Sequence, residues 1–512
     1  MKICPIPNTP GVFNDICKLT CCTALLSSPL STSLIFPSSR EYTTLVTGHY
    51  ALNALAQPAC FLRPKTVTDL ALAVSILSTT NDGSEQCQFG VRGGGHMPWK
   101  NAAGAEGGIT IDIALLNGTV YDDETSTASI MGGTKWGDVY KALKPLGVAV
   151  PGGRADTVGV GGLLIGGGLS YFANHYGLAC DNVLSFEVVL GNGTVTTANN
   201  TSNTDLFRAL KGGGNNFGIV TRVTLRAFKQ GHLWGGLIGH TPSEIPAQNK
   251  ALVNFTSNLI NDPRAQLVTI WQYNGKANTS FAASGLQHAL GMENPAIFGQ
   301  FIDLPRTFST LRVTDIYDLM METAPPPGKR AVFLTLTFRN DVRVVEHLYV
   351  LHEAITSSVR VAGLESDDWD VISFLQPFPA ILAQTSQCQG WKMCWGSIAW
   401  VTRIIFVSKL SVSDGLLLTG QVYLLFLDWQ HPSDDTFFND LSYDLIQKLN
   451  LYTQTIGADS EYIYMNYAAR RQNPLRGYGE ENLKFIKSVA RKYDPLGVFQ
   501  SQVPGGFKVS TA

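Results

Sequence analysis

At 512 residues, with 45% hydrophobic and 15% charged side chains, the chain has apolar material for a large interior and is too long for one compact core, so two domains or three lobes are expected. A formal net charge of −2 with no dense lysine/arginine run argues against nucleic acid or an anionic membrane as a partner. The most apolar stretch, residues 415–427, is shorter than the ~20 residues a bilayer span needs.

The nine cysteines are scattered and contain no two CxxC pairs, which disfavours a metal site and allows at most one or two disulfides. Pro5, Pro7 and Pro10 interrupt the apolar run a secretory signal needs. Six Asn-x-Ser/Thr sequons, at Asn117, Asn192, Asn199, Asn200, Asn254 and Asn278, point the other way, so the compartment stays open.

Taken in chain order, residues 15–28 pattern as a helix. Residues 59–80 read as a short strand ended by Pro64 and then a helix with Thr66 or Thr68 as N-cap and Leu70, Ala71, Val74 and Leu77 as apolar positions. A strand is expected in "GITIDIALL" (108–116), and a strand followed by a helix ending at Pro145 in residues 127–153. The strand at 183–198 carries a hairpin turn at Gly191, Asn192 and Gly193. Beyond residue 230 longer strands ("RAVFLTLTF") alternate with helices ("VRVVEHLYVLHEAIT"), the pattern of a separate α+β lobe whose sheet is covered on one side.

Glycine is concentrated between residues 90 and 220. Clusters at Gly93 to Gly95, Gly159 to Gly162, Gly166 to Gly168 and Gly212 to Gly214 mark backbone that takes positive φ or lies against a ligand. Consecutive glycines can turn several N–H groups inward and hold a phosphate without side-chain charge. One such run could be a surface turn; four suggest a long ligand laid along the backbone. The nicotinamide fingerprint fails, because Gly159-Val-Gly161-Gly-Leu-Leu164 lacks its third glycine.

Four segments together carry a family resemblance: "RGGGH" (92–96), "TVGVGGLLIGGGLSYFANHYGLACDNVLSFEVVLGNG" (157–193), "LFRALKGGGNNFGIVTRVTLRAF" (206–228) and residues 462–508 with "YIYMNYAARR". In this order they resemble the FAD-linked oxidoreductases of the vanillyl-alcohol oxidase / berberine bridge enzyme type. The resemblance implies an α+β protein with a two-part PCMH-type FAD-binding domain and a substrate domain whose antiparallel sheet is covered by helices. The implied limits are an N-terminal segment 1–49, FAD-binding parts 50–229 and 456–512, and a substrate domain 230–455.

By the same resemblance His96 bonds covalently to FAD, with Arg92, Gly93, Gly94, Gly95, Val158, Gly159, Gly162, Gly166, Val220, Tyr464 and Asn466 as further cofactor contacts. Ala155 stands where many relatives carry a second flavin-bonding cysteine, so one covalent bond is implied. Valine at 158 is associated with oxidases, and it equally suits a packed β-branched residue. Tyr467 matches a catalytic base, with His175 and Tyr176 as second candidates. A tyrosine base, ordinarily near pKa 10, needs a neighbouring cation or the flavin itself. Asn466 and Tyr464 are expected on one strand, sharing a face. Cys60 is implied to pair with Cys21 or Cys22, which would indicate an oxidising compartment.

The expected activity is hydride transfer from a small organic substrate, such as a secondary metabolite, with molecular oxygen as second substrate. Carbohydrate or alcohol oxidation, and flavin binding without turnover, are the alternatives. Residues 388–415 depart from the family pattern, which implies an unusual pocket or misassigned coding sequence.

Overall fold

Alternation of apolar and polar residues, interrupted by turns, divides the chain into three principal sheets. A computed structural model describes residues 19–82, 85–323, 326–379, 382 and 419–512. The N-terminal proline-rich residues and the divergent segment 388–415 lie outside the described residues.

The first sheet has four strands in the order Leu34–Ile35, Cys60–Leu62, Ile109–Asp112, Phe89–Arg92. Its last three strands are parallel, with helix Val67–Thr79 crossing over between the second strand and Phe89–Arg92. Thr66 caps that helix: its hydroxyl accepts from Asp69 N at 3.1 Å, while the Asp69 carboxylate accepts from Thr66 N at 3.0 Å. The strand expected over 108–116 stops at Asp112, because the Asp112 carboxylate accepts from Ala114 N at 2.9 Å and turns the chain into a 3-10 helix, Ile113–Leu115. Helix Leu19–Leu26 is bound to this sheet by two disulfides, Cys22–Cys60 and Cys21–Cys87. The first was one of two expected pairings. The second involves Cys87, which the resemblance did not single out.

The second sheet has five antiparallel strands in the order Val195–Asn199, Val183–Val189, Ile219–Arg226, Thr127–Met131, Thr119–Asp122. The hairpin falls where the sequence placed it, with Val189 opposite Val195 and Gly193 at φ +83°. Helix Trp136–Leu143 ends just before Pro145, which lies in a following 3-10 turn.

The third sheet has eight antiparallel strands. Seven run in the order Phe308–Ser309, Leu233–His240, Thr279–His288, Ala265–Asn274, Asp370–Phe378, Gly420–Trp429, Arg330–Arg339, and Arg312–Thr314 also pairs with Leu233–His240. Strand alternation gives this sheet two faces. Val332, Leu334, Leu336 and Phe338, with Val371, Leu375, Tyr423, Leu425 and Leu427, pack in one core with apolar residues of helices Ile245–Asn258, Val342–Arg360 and Asp435–Thr455. The intervening residues Ala331, Phe333, Ile372, Phe374, Leu424 and Phe426 cluster on the opposite face with Tyr50, Ala51 and Tyr467. This face, turned away from those three helices, is one wall of the site described below.

The chain returns to the first two sheets at its end. Val498, Phe499 and Val503 join the core under the first sheet, and Tyr478 Oη donates to Gly212 O at 2.9 Å. Among the described residues no helix is long and apolar enough to cross a membrane.

Candidate active site

The glycine run 93–95 leaves the C-terminal end of strand Phe89–Arg92, and Gly95 takes φ +66° to turn the chain into His96. Much of the glycine pattern proves to be packing of backbone on backbone. A Cβ on Gly94 would lie 2.2 Å from Gly159 N, and one on Gly159 would lie 2.4 Å from Gly94 N. Likewise a Cβ on Gly132 would lie 2.2 Å from Val220 O, while one on Gly166 would meet a side chain instead, 1.7 Å from Asn466 Oδ1.

Two glycines have no such reason. A Cβ on Gly162 meets nothing within 4 Å, and one on Gly93 meets only Gly132 O at 3.8 Å. The paired loops therefore form a ridge whose open positions, Gly93 and Gly162, leave room for a ligand to lie directly on the main chain. That is the form a diphosphate needs, so the residues present fit an FAD.

His96 Nε2 lies 2.7 Å from Thr157 Oγ1, and its ring stacks on Tyr50 at 4.3 Å between centroids. Burial, followed by the charge of Lys135, lowers its pKa to about 4, so the imidazole is neutral at physiological pH. The Tyr50 hydroxyl is buried without a hydrogen-bond partner among the described residues, and its ring meets Phe333 at 6.1 Å. Asn53 joins this loop to the third sheet: its Nδ2 donates to Pro98 O at 2.9 Å and Ala331 O at 2.8 Å, and its Oδ1 accepts from Ala331 N at 2.9 Å.

Across the apolar face from Tyr50 stands Tyr467. Its hydroxyl oxygen accepts from Arg154 Nη2 at 2.8 Å and from Gln376 Nε2 at 3.1 Å, and Arg154 Nη2 also donates to Gln376 Oε1 at 2.7 Å. Two donors converge on one phenolic oxygen, one of them cationic. An oxygen held this way is arranged to carry negative charge when its proton leaves. Arg154 thus places a cation directly on the Tyr467 oxygen. It sits one residue before Ala155, yet nothing in its local sequence says that it reaches a residue 313 positions away.

The other candidates are placed differently. Tyr464 is not on a strand: residues Met465–Tyr467 form a 3-10 turn, because the segment wraps around the loop at 163–169 rather than joining a sheet. The Tyr464 hydroxyl accepts from Leu169 N at 2.7 Å and from Asn466 Nδ2 at 3.1 Å, and Asn466 Nδ2 also donates to Leu163 O at 3.0 Å. Both side chains thus brace the glycine loop. Burial and the nearby Tyr467 hold the Tyr464 pKa above the ordinary tyrosine range, so it stays a neutral phenol.

Arg92 spends its guanidinium on a buried ion pair with Asp112 and on Leu45 O, which leaves its backbone to border the cradle. Val158 is half-buried beside Thr157, and its carbonyl accepts from Trp136 N at 3.0 Å. Val220 is buried, its carbonyl against Gly132. Tyr176 stacks on Phe228 at 4.2 Å, and burial raises its pKa. His175 meets the Tyr176 ring edge-on at 4.5 Å between centroids, and burial, followed by the charge of Arg264, lowers its pKa. Sequence reading missed Tyr50, Thr157, Arg154 and Gln376; only Thr157 and Arg154 lay in a segment already singled out.

Two buried histidines set an acid limit on the fold. Burial lowers His352, which contacts Ser373 Oγ at 2.9 Å, to about 3, and His49 to about 4. The unfolded chain then binds protons that the folded chain refuses, so stability falls as pH drops from the ordinary histidine range toward these values. Between about pH 7 and pH 5 the protein is expected to lose on the order of 2 kcal/mol more than a His352→Gln variant. Denaturant midpoints at both pH values measure the difference.

Comparison with known proteins agrees with this geometry. Residues 58–199 match the FAD binding domain family. The chain is 36% identical to the FAD-dependent monooxygenase drtC of Aspergillus calidoustus, over 98% of this chain and 92% of that one. Among solved structures it resembles 6-hydroxy-D-nicotine oxidase from Arthrobacter nicotinovorans, with TM-score 0.72 and 21% identity over 93% of this chain and 98% of that one. It also resembles glucooligosaccharide oxidase from Acremonium strictum, described with a 6-S-cysteinyl, 8α-N1-histidyl FAD, with TM-score 0.68 and 19% identity over 94% and 98%. With the glycine cradle, the neutral histidine beside it and relatives aligned along almost its full length, the chain belongs to the vanillyl-alcohol oxidase / berberine bridge enzyme-like family and is an FAD-linked oxidoreductase.

Proposed function

We propose that this enzyme holds FAD through a single covalent bond to His96 and oxidises a small organic molecule of secondary-metabolite type, with Tyr467 as the base. Bound FAD supplies a two-electron acceptor for a substrate hydride and returns the electrons to oxygen. Among the chain's own residues, Thr157 Oγ1 accepts from His96 Nε2 in the reactive tautomer, which leaves Nδ1 of a neutral ring unprotonated as the nucleophilic nitrogen. Tyr467 acts as a phenolate, its charge stabilised by the Arg154 and Gln376 donors, and becomes a neutral phenol when it takes the substrate proton whose loss raises the donor power of the carbon being oxidised. The apolar face of Phe333, Ile372, Phe374 and Phe426 excludes water and positions the substrate body.

The convergence of two N–H donors on Tyr467 Oη, facing the same apolar wall as the His96–Tyr50 stack, is the observation that carries this reading. Val158 is the residue through which we infer oxygen is admitted. Two disulfides, together with exposed sequon asparagines at Asn117, Asn192, Asn254 and Asn278, support a secretory route.

The monooxygenase name carried by the relative drtC favours a second reading, in which oxygen enters the product. Turnover under labelled dioxygen separates the two. Stoichiometric peroxide and unlabelled product support the oxidase reading. Label in the product establishes the monooxygenase, and a flavin that substrate reduces but oxygen does not reoxidise makes the enzyme a dehydrogenase.

A further inference from the structure

Arg154 is held in place from both ends. Behind it, a Cβ on Gly152 or Gly153 would lie 2.0 or 2.4 Å from atoms of the Trp136 ring, so the loop lies flat on that indole. Ahead, Nη2 is fixed by Gln376 Oε1 and Tyr467 Oη. The guanidinium is only partly buried, and the rest of its fork has no hydrogen-bond partner and no carboxylate within ion-pair distance among the described residues. The contrast is Arg92, which is buried beside Asp112. A guanidinium fixed along one edge and open along the other is placed to meet a counter-charge that arrives with the ligand.

The surface leading to Arg154 defines the rest of that ligand. Gln376 follows Phe374 and Ile372 on one face of its strand, and Phe374 is opposite both Ile270 and Leu424 in the neighbouring strands. Ile270, Phe333 and Phe374 are only partly buried on this face, so their apolar edges remain open to contact.

We propose that Arg154 is the residue that selects the substrate, and that it selects a flat, unsaturated molecule bearing an acidic oxygen, whether carboxylate, phenolate or enolate, laid against the Ile270–Phe374–Phe333 wall. This rests on the FAD-linked reading of the site given above. The acidic oxygen meets the free edge of the guanidinium, and the arginine thereby sets the distance between the substrate and Tyr467.

The test uses the FAD-loaded protein titrated with benzoate, with 1,3-cyclohexanedione, an enolate at neutral pH, and with neutral benzamide as the matched control. Binding is read both by calorimetry and by change in the flavin spectrum. The expected result is at least ~10-fold tighter binding of an anion than of benzamide, as for a hydrogen bond to a charged group. Preference for benzoate alone assigns a carboxylate, and preference for the dione assigns a phenolate or enolate. Arg154→Met removes the preference. Gln376→Glu removes it too, by supplying a carboxylate with the arginine still in place; FAD content and melting temperature check that both variants are folded. Equal affinity for anions and benzamide in the wild type overturns the proposal, as does a preference that survives Arg154→Met. Failure of the flavin reading would instead show as protein that does not take up FAD, and calorimetry would still read the anion preference.

Discussion

Tyr467→Phe is expected to slow anaerobic reduction of the enzyme's flavin by ~10²- to 10⁴-fold at saturating substrate, the range that a positioned general base contributes. Phenylalanine preserves the edge contact with Tyr464, at 4.8 Å between ring centroids, and the packing on the apolar face, so FAD content and melting temperature should stay close to wild type. The variant therefore removes one oxygen and little else. It also orphans the Arg154 and Gln376 donors that converge there, so Arg154→Met should produce a slow phenotype of the same kind without removing the phenol. Stopped-flow absorbance at the flavin band reads both. Unchanged reduction in Tyr467→Phe would make Tyr467 a packing residue and move the base elsewhere.

The second large effect separates the two kinds of glycine in the cradle. Gly94→Ala drives a methyl to 2.2 Å from Gly159 N and 2.8 Å from Gly159 Cα, contacts that only backbone movement relieves. Overpacking of this severity costs about 3 kcal/mol or more, and poorly folded protein is the expected outcome. Gly162→Ala meets no atom within 4 Å and sits in the helix Val160–Ile165, so the fold should tolerate it, with alanine the better helix former by about 1 kcal/mol. If the cofactor lies on the main chain there, the methyl occupies its place and FAD uptake falls. Melting temperature and FAD content, measured on both variants, should move in different patterns: both fall for Gly94→Ala, and only FAD content falls for Gly162→Ala. A Gly162→Ala protein with full FAD would place the ligand elsewhere on the ridge.

These two cases also show what sequence could disclose. The glycine clusters and the histidine after them were legible because local chemistry announces them: glycine takes φ +66° at Gly95 without strain, and only glycine permits the approach of residue 94 to residue 159. The helix starting at Thr66 was legible for the same reason, since its capping box is written in four consecutive residues. The third sheet and its helices followed from period. What sequence did not disclose depends on distance along the chain. Arg154, Gln376 and Tyr467 meet from three separate segments, and Tyr50 reaches His96 from a turn with no motif of its own. The braces at Tyr464 and Asn466 were correctly read as close together, but as a strand pair rather than a turn, because alternating aromatics resemble a strand until the loop they clasp is known.

The most direct test is the absorption spectrum of purified wild-type and His96→Ala protein before and after acid precipitation. Yellow colour that stays in the wild-type pellet, and passes into the supernatant for His96→Ala, is the predicted result and places the covalent flavin on this imidazole. A wild-type pellet that releases all its flavin would contradict the covalent bond, and a folded wild type that takes up no FAD would contradict the account as a whole.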